Sequence, residues 1–261
     1  MYNIYMVSVI MPTYNCGAFI GEAIKSVKMQ TYQVWELIVV DDCSTDNTES
    51  VVRQIMADDA RLIYIRNDKQ LGAAESRNKA LRKAKGHWVA FLDSDDMWLP
   101  AKLEKQIAFM DGNNYHFSYH AYSSIDENGN ALGIIVGGIA KVGKASMYSC
   151  CWPGCLTVMY DRDYVGLVQV ANLRKNNDTA MWLKVVEKCP CYFLDENLAV
   201  YRHRKGSITP TSTWRKIIAH YPLFRRGASM SPLAAGIMVV VNIFGNAYKK
   251  MMFVKSENND K

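Results

Sequence analysis

Trp88-Val89-Ala90-Phe91-Leu92-Asp93-Ser94-Asp95-Asp96 is the stretch whose reading decides the fold. An apolar run suited to a buried strand gives way at Asp93 to a cluster of carboxylates. Neighbouring strand side chains point to opposite faces, so Asp93 and Asp95 can share one. In open parallel α/β sheets, ligands collect outside the carboxyl ends of the strands, and this is such an end.

The same grammar repeats upstream. Val7–Met11 ends in Pro12-Thr13-Tyr14, and a helix follows with Phe19, Ile20, Ala23, Ile24 and Val27 on one face. Leu37–Val40 ends in Asp41-Asp42, and Thr45 or Asp46 can cap a helix whose face is Val51, Val52, Ile55 and Met56. Leu62–Ile65 is a third run, and Gly72 opens a helix with Ala73, Arg77, Ala80, Leu81 and Ala84 on one side. Downstream, Pro100 suits the first turn of another helix. Strands alternating with helices of this length predict an α/β domain with a mostly parallel central sheet flanked by helices. From about residue 113 the texture changes to short strand-like pieces, Tyr115–Tyr122, Ile134–Gly138, Tyr192–Leu194 and Leu198–Tyr201, with a helix over Asp178–Lys188. This half is expected to be smaller, antiparallel and on the acceptor side. The expected division is a domain over 1–211, with halves of about 1–110 and 111–211, and a basic helical tail over 212–261.

The tail is distinct in charge. Of a net +6, residues 1–196 hold 20 Lys+Arg against 23 Asp+Glu, while residues 197–261 hold 11 against 2. Such a tail suits anionic lipid or phosphate. Nucleic acid is not expected, because no recognition motif accompanies the charge. The apolar run Leu233–Gly245 would span roughly 20 Å as a helix, short of the ~30 Å hydrocarbon core. Arg215-Lys216, Arg225-Arg226 and Lys249-Lys250 bracket the apolar stretches of the tail. The run reads as an interfacial helix with Ile237, Val240, Val241 and Phe244 among acyl chains and these cations on anionic headgroups, or as a helix packed on the domain. Peripheral association with the inner face of the plasma membrane is therefore expected of a cytoplasmic protein, since no secretory leader is legible at the N-terminus. The seven cysteines read as reduced, part-buried thiols.

Four further groups carry chemistry. Asp93 and Asp95 suit a hard divalent ion such as Mg²⁺ or Mn²⁺, with Ser94 between them. Asp41 or Asp42 can accept from a nucleobase N–H or a ribose hydroxyl, and Tyr14 can stack on a base. Arg77, inside an alanine-rich helix face, needs an anion, for which Asp41, Asp93 or a phosphate are candidates. Asp178 serves either as a helix cap or as a general base. In Tyr201-Arg202-His203-Arg204-Lys205, the cations can grip a diphosphate, and His203 is either a third metal ligand or part of a basic surface loop.

Taken together, these motifs resemble family 2 of the inverting glycosyltransferases. The matching residues are Val7–Asn15, Ile38–Asp46, Gly72–Asn78, Phe91–Asp96, Asn177-Asp178 and Tyr201-Arg202. The resemblance covers about residues 6–210. It implies a GT-A fold, which is Rossmann-like, and a nucleotide-diphosphate sugar donor, usually uridine-linked, held by Pro12, Thr13, Tyr14, Asp41, Asp42, Arg77, Ser94 and Arg202. It implies that Asp93 and Asp95 form the metal motif and that Asp178 holds the position of the base. The family usually has Glu-Asp where this chain has Asn177-Asp178. Members of this sort commonly build bacterial surface polysaccharide on a glycan or polyprenyl-linked acceptor. Three rival classes are weaker. A nucleotidyltransferase usually has a glycine-rich basic loop after the first strand, where this chain has Pro12-Thr13-Tyr14-Asn15-Cys16-Gly17. A dinucleotide oxidoreductase needs G-x-G-x-x-G there. A lapsed, scaffolding transferase has no need to keep Asp93, Asp95 and Asp178.

Overall fold

The computed structural model describes residues 5–204 and 220–256. The predicted cations Lys205, Arg215 and Lys216, and the boundary at residue 211, lie outside those residues. The first half alternates as expected: β1 (Val7–Thr13), α1 (Ile20–Lys28), β2 (Trp35–Asp41), α2 (Thr48–Met56), β3 (Leu62–Arg66), α3 (Ala73–Lys83) and β4 (Trp88–Phe91). After β5 (Met97–Trp98) and α4 (Lys102–Asn113) come β6 (Phe117–Ile125), β7 (Ala131–Val136), β8 (Lys141–Val142) and α5 (Lys144–Ser149). Then follow β9 (Met159–Asp161), α6 (Arg162–Val165), α7 (Asn177–Val186), β10 (Cys191–Arg202), α8 (Pro232–Phe253) and β11 (Val254–Ser256).

All strands join one mixed sheet, ordered β11-β7-β6-β9-β4-β1-β2-β3, with β10 pairing β5, β6 and β8. β4, β1, β2 and β3 are mutually parallel. β9 runs antiparallel to both β4 and β6, and so continues the sheet into the second half. Alternation along the central strands sorts their apolar residues into two cores. Val9, Leu37, Val39 and Ala90 meet α1 and α4 on one face, whereas Ile10, Ile38, Val89 and Phe91 meet α3 and α7 on the other. Asp93 has the parity of Phe91 and leaves the sheet on the α3–α7 side. That helix layer is fixed by Trp182 of α7, fully buried edge-on against Phe91 at 5.0 Å between ring centroids.

Two features of the second half differ from the sequence reading. Tyr192–Leu194 and Leu198–Tyr201 are parts of one strand, β10, interrupted only by register shifts around Asn197. That strand is parallel to β6, not antiparallel. The long connection through α7 returns the chain in its original direction, as a parallel pairing requires. The C-terminal segment is also tied to the domain. Ser231 caps α8, with its hydroxyl accepting from the Ala234 N–H at 3.3 Å, and Pro232 follows at the helix start. Ala235, Val239 and Asn242 are buried, and β11 pairs with β7 at the sheet edge. Lys249 faces the protein and donates to the carbonyls of Cys151 (3.1 Å) and Trp152 (2.6 Å), so it is not one of the surface cations that the sequence suggested. On the opposite face, Leu233, Ile237, Val240, Phe244, Tyr248 and Met251 form an exposed apolar stripe. No helix among the described residues is long and apolar enough to cross a membrane.

Lys102 at the start of α4 is fully buried, and its Nζ has no hydrogen-bond partner among the described residues. It lies 3.8 Å from the Trp98 ring centroid. Burial pushes the ammonium well below the usual lysine range, favouring the neutral amine. The unfolded chain binds a proton on this lysine below about pH 10.4, while the folded chain does not until its own lowered pKa is reached. Stability from this group is therefore complete above the unfolded value and is lost as the pH falls, by about 1.4 kcal/mol per pH unit. Lys102→Met is expected to raise the melting temperature at pH 7 by several degrees, at about 2–4 °C per kcal/mol. The gain should shrink toward pH 10. A variant that melts lower at both pH values would contradict this reading.

Candidate active site

The site is assembled at the carboxyl ends of β4, β1 and β2. Ser94 and Asp96 are buried, while Asp93 and Asp95 keep a fifth to a third of their side chains exposed. The turn is pinned from two sides. The Cys16 thiol donates to the Ser94 carbonyl at 3.3 Å, and the Arg202 N–H donates to Asp96 Oδ1 at 2.9 Å. Burial, and then the neighbouring charge of Asp93, raise the Asp95 carboxyl above the ordinary range. Asp96 is raised further by burial and by the charges of Asp95 and Asp93. The sequence does bring the carboxylates together, and the cost of gathering them is visible in these shifts.

Arg77 resolves the partner question left open above. It is buried on α3, and its Nη2 donates to Asp93 Oδ1 while its Nη1 donates to Asn177 Oδ1 on α7. Burial works against its charge, but the negative charges around it, Asp93 first and Asp178 with it, together hold the guanidinium above its ordinary value. Asp178, half-buried beside Asn177, takes the Thr179 N–H on Oδ1 at 2.7 Å. Four loops around this centre contain a left-handed residue: Asn15 after β1, Cys43 after β2, Gly72 before α3 and Asn176 before α7. Asparagine and glycine tolerate that conformation, whereas Cys43 is held there by the surrounding loop at a cost of about 1–3 kcal/mol.

At β1 and β2 the predicted donor residues have unequal access. Tyr14 is exposed, while Pro12 and Thr13 are buried, and the Thr13 hydroxyl has no partner. Asp41 has no exposed surface. Its Oδ1 accepts from the Ser44 N–H and hydroxyl at 2.8 and 2.6 Å, and its Oδ2 from the Tyr64 hydroxyl at 2.7 Å. It shapes the loop and has no surface for a ligand. Asp42 accepts from Asn67 Nδ2 at 2.9 Å and from the N–H groups of Leu71 and Gly72 at 2.7 Å each. A carboxylate offers about four acceptor positions, so Asp42 keeps one in reserve.

The basic run after β10 divides similarly. Arg202 is buried and committed within the protein: to Glu22, to the Asp95 carbonyl at 3.1 Å and to the Glu127 carbonyl at 3.3 Å. The residue on a motif carboxylate is Arg204, whose Nε donates to Asp95 Oδ2 at 2.6 Å. Sequence reasoning named Arg204 only as part of a cationic run. Its spacing of two from Arg202, at a strand end, was the available signal. His203 is exposed and lines an open cleft with Asp126, Glu127, Asn128 and Arg204. Among the described residues, it does not gather with Asp93 and Asp95 into a metal-ligand cluster. The one such cluster of three among the described residues is His87, Asp161 and Asp163, at the other end of β4. There the carboxylates are taken up by imidazoles: His87 Nδ1 lies 2.6 Å from Asp163, and His116 Nδ1 lies 2.9 Å from Asp161.

A sheet of this topology, with acidic and aromatic groups at three adjacent strand ends and an aspartate opening the facing helix, defines an α/β transferase domain of GT-A type. Comparison with known proteins agrees. The profile described as Glycosyl transferase family 2 matches residues 8–134. A Bacillus subtilis (strain 168) protein named as a teichuronic acid biosynthesis glycosyltransferase, TuaG, is 39% identical over 211 residues, covering 80% of this chain and 83% of that protein. The Escherichia coli protein named as a UDP-Glc:alpha-D-GlcNAc-diphosphoundecaprenol beta-1,3-glucosyltransferase, WfgD, is 40% identical over 186 residues, 70% of each chain. Two solved structures share the fold. Staphylococcus aureus TarS 1–349 in complex with UDP-GlcNAc has a TM-score of 0.71 at 20% identity, over 95% of this chain and 74% of that one. The mannosyltransferase PcManGT of Pyrobaculum calidifontis, in complex with GDP-Man and Mn²⁺, has a TM-score of 0.63 at 20% identity, over 95% and 76%. The chain belongs to the family 2 glycosyltransferases.

Arg77→Lys is expected to keep the charge but lose the two-pronged grip, because one ammonium cannot match the guanidinium fork. Misplacement of reacting groups by about 1 Å can cost ~10²-fold, and a fall in turnover of that order is expected with the fold intact by circular dichroism. Turnover within twofold of the parent would show that the bridge does not position the site.

Proposed function

We propose that this chain moves a sugar, with inversion, from a divalent-metal-bound nucleotide-diphosphate sugar to a hydroxyl of a lipid-linked glycan at the inner face of the plasma membrane. The observation that carries this reading is the Arg77 bridge, which gathers Asp93 and the Asn177-Asp178 pair around one centre. Relatives named for teichuronic acid synthesis and for a diphosphoundecaprenol acceptor support a role in bacterial surface polysaccharide. The complexes of TarS with UDP-GlcNAc and of PcManGT with Mn²⁺ support a uridine-linked donor and a Mn²⁺ or Mg²⁺ ion.

The donor set fits such an ion. Asp93 and Asp95 offer hard oxygens, and each already carries a guanidinium in the place of a cation. When bound, the ion would offset the negative charge on the departing diphosphate. Tyr14 stacks on the base, and Asp42 uses its remaining acceptor position on the base or ribose. Asp41 and Arg202 act on the donor through the loops and the turn that they hold. Asp178 takes the proton from the acceptor hydroxyl as its oxygen attacks the anomeric carbon on the face opposite the diphosphate. One displacement converts an α-linked donor into a β-linked product.

The exposed stripe of α8 supports a lipid surface as the place of work. Arg225, Arg226, Lys250 and Lys255 are exposed, and there is no acid from Asn197 to Ser256. A second copy would present the same positive charge to itself, whereas anionic headgroups complement it, at about 1 kcal/mol per cation near the surface. The apolar side chains would enter the headgroup–acyl boundary with the helix lying in the plane.

Two experiments test the proposal. Asp178→Asn keeps an acceptor for the Thr179 N–H but cannot take a proton. Metal-dependent transfer from UDP-sugars is expected to fall ~10²–10⁴-fold with UDP affinity unchanged, and near-normal transfer would reduce Asp178 to a helix cap. In liposome flotation, the full chain should bind anionic vesicles, bind less with added salt, and lose binding when Ile237 and Phe244 are both changed to Glu. Equal flotation of that variant would remove α8 from the interface.

A further inference from the structure

We infer that Arg204 is a displaceable counter-ion that makes cation and nucleotide bind together: it occupies Asp95 until a metal–diphosphate arrives, then yields the carboxylate to the metal and takes the diphosphate. The inference rests on the donor-site reading above and adds a regulatory device to that site.

The two outer carboxylates of the motif are held in different ways. Asp93 is gripped by Arg77, whose side chain is 8% exposed and which is also bonded to Asn177. That partner is fixed by the core. Asp95 is held by Arg204, whose side chain is 27% exposed. The chain leading to Arg204 is anchored up to the residue before it: Arg202 is locked to Glu22 and to the Asp95 and Glu127 carbonyls, and the His203 N–H donates to the Ile125 carbonyl at 2.9 Å. Arg204 is thus the first residue past the anchor, and it can turn away without disturbing the sheet.

The Nε–H at 2.6 Å occupies one acceptor position of Asp95 and sets a positive charge against the carboxylate that a divalent ion would use. An ion bound at 2.0–2.6 Å from that carboxylate would lie within a few ångströms of the guanidinium. Two cations that close repel unless an anion lies between them, and a diphosphate is such an anion. Arg204 therefore opposes the metal alone and favours the metal with nucleotide. Each ligand then raises the affinity of the other by the same factor, as linkage requires. A residue that only gripped phosphate would not oppose the bare ion.

The sign of this effect is the test. Mn²⁺ binding to the full chain is titrated by electron paramagnetic resonance, with and without saturating UDP, for the parent and for Arg204→Gln and Arg204→Lys. For Arg204→Gln, Mn²⁺ alone should bind about tenfold tighter, the scale of a lost charge-assisted contact. With UDP present it should bind about tenfold weaker than to the parent. Arg204→Lys, which keeps the charge, should fall between. If Arg204→Gln binds Mn²⁺ alone with the parent's affinity or more weakly, the counter-ion role is wrong even where the UDP effect is found. If the parent binds no Mn²⁺ even with UDP, the donor-site reading itself fails.

Discussion

A buried guanidinium, that of Arg77, donates at once to Asp93 at the end of β4 and to Asn177 at the start of α7. The strand supplies the carboxylates, and the helix supplies the half-buried Asp178. Arg77 and Asn177 are 100 residues apart in the sequence. Trp182 locks α7 onto Phe91 from below, and Arg77 fixes the distance at the top. The cost is evident in one buried N–H of Arg77, Nε, which has no partner. Such an orphan is tolerated where the other bonds of the same group are charge-assisted.

The asparagine at 177 gains a physical meaning from this contact. Glutamate at that position would give Arg77 a second full counter-charge. With Asn177 the partner is a neutral amide oxygen, and the carboxylates that favour the charged guanidinium are Asp93 first and Asp178 after it.

Most of the sheet was legible because burial on both faces writes apolar runs, and each of β1 to β4 ends in a polar break. The parallel course of β10 was not legible. Pairing direction depends on how the chain returns from α7, and the register shifts at Asn197 split one strand into two runs. Within the site, Asp93 and Asp95 could be read as carboxylates following a buried strand, although both lie in the turn after β4 and not on the strand whose alternation suggested a shared face. The separation of Arg202 from Arg204 could not, because it depends on which guanidinium meets Glu22 and which meets Asp95. Asp41 misled for a related reason. A carboxylate at a strand end looks available, yet Ser44 and Tyr64 enclose it. The tail's charge and amphipathy were visible, but Lys249 turned inward because the Cys151 and Trp152 carbonyls lie beneath α8.

The proposed metal site is at the carboxyl end of β4, although the one compact cluster of potential ligands among the described residues lies at the other end. The difference is physical. His87, His116, Asp161 and Asp163 already satisfy one another, whereas Asp93 and Asp95 are partly exposed and held by cations. The most direct measurement is a crystal of the full chain grown with UDP and Mn²⁺, and an anomalous difference map at the manganese edge. One peak is expected between Asp93 and Asp95, with the uracil against Tyr14. A peak at His87 and Asp161 with none at Asp93 and Asp95 would contradict it.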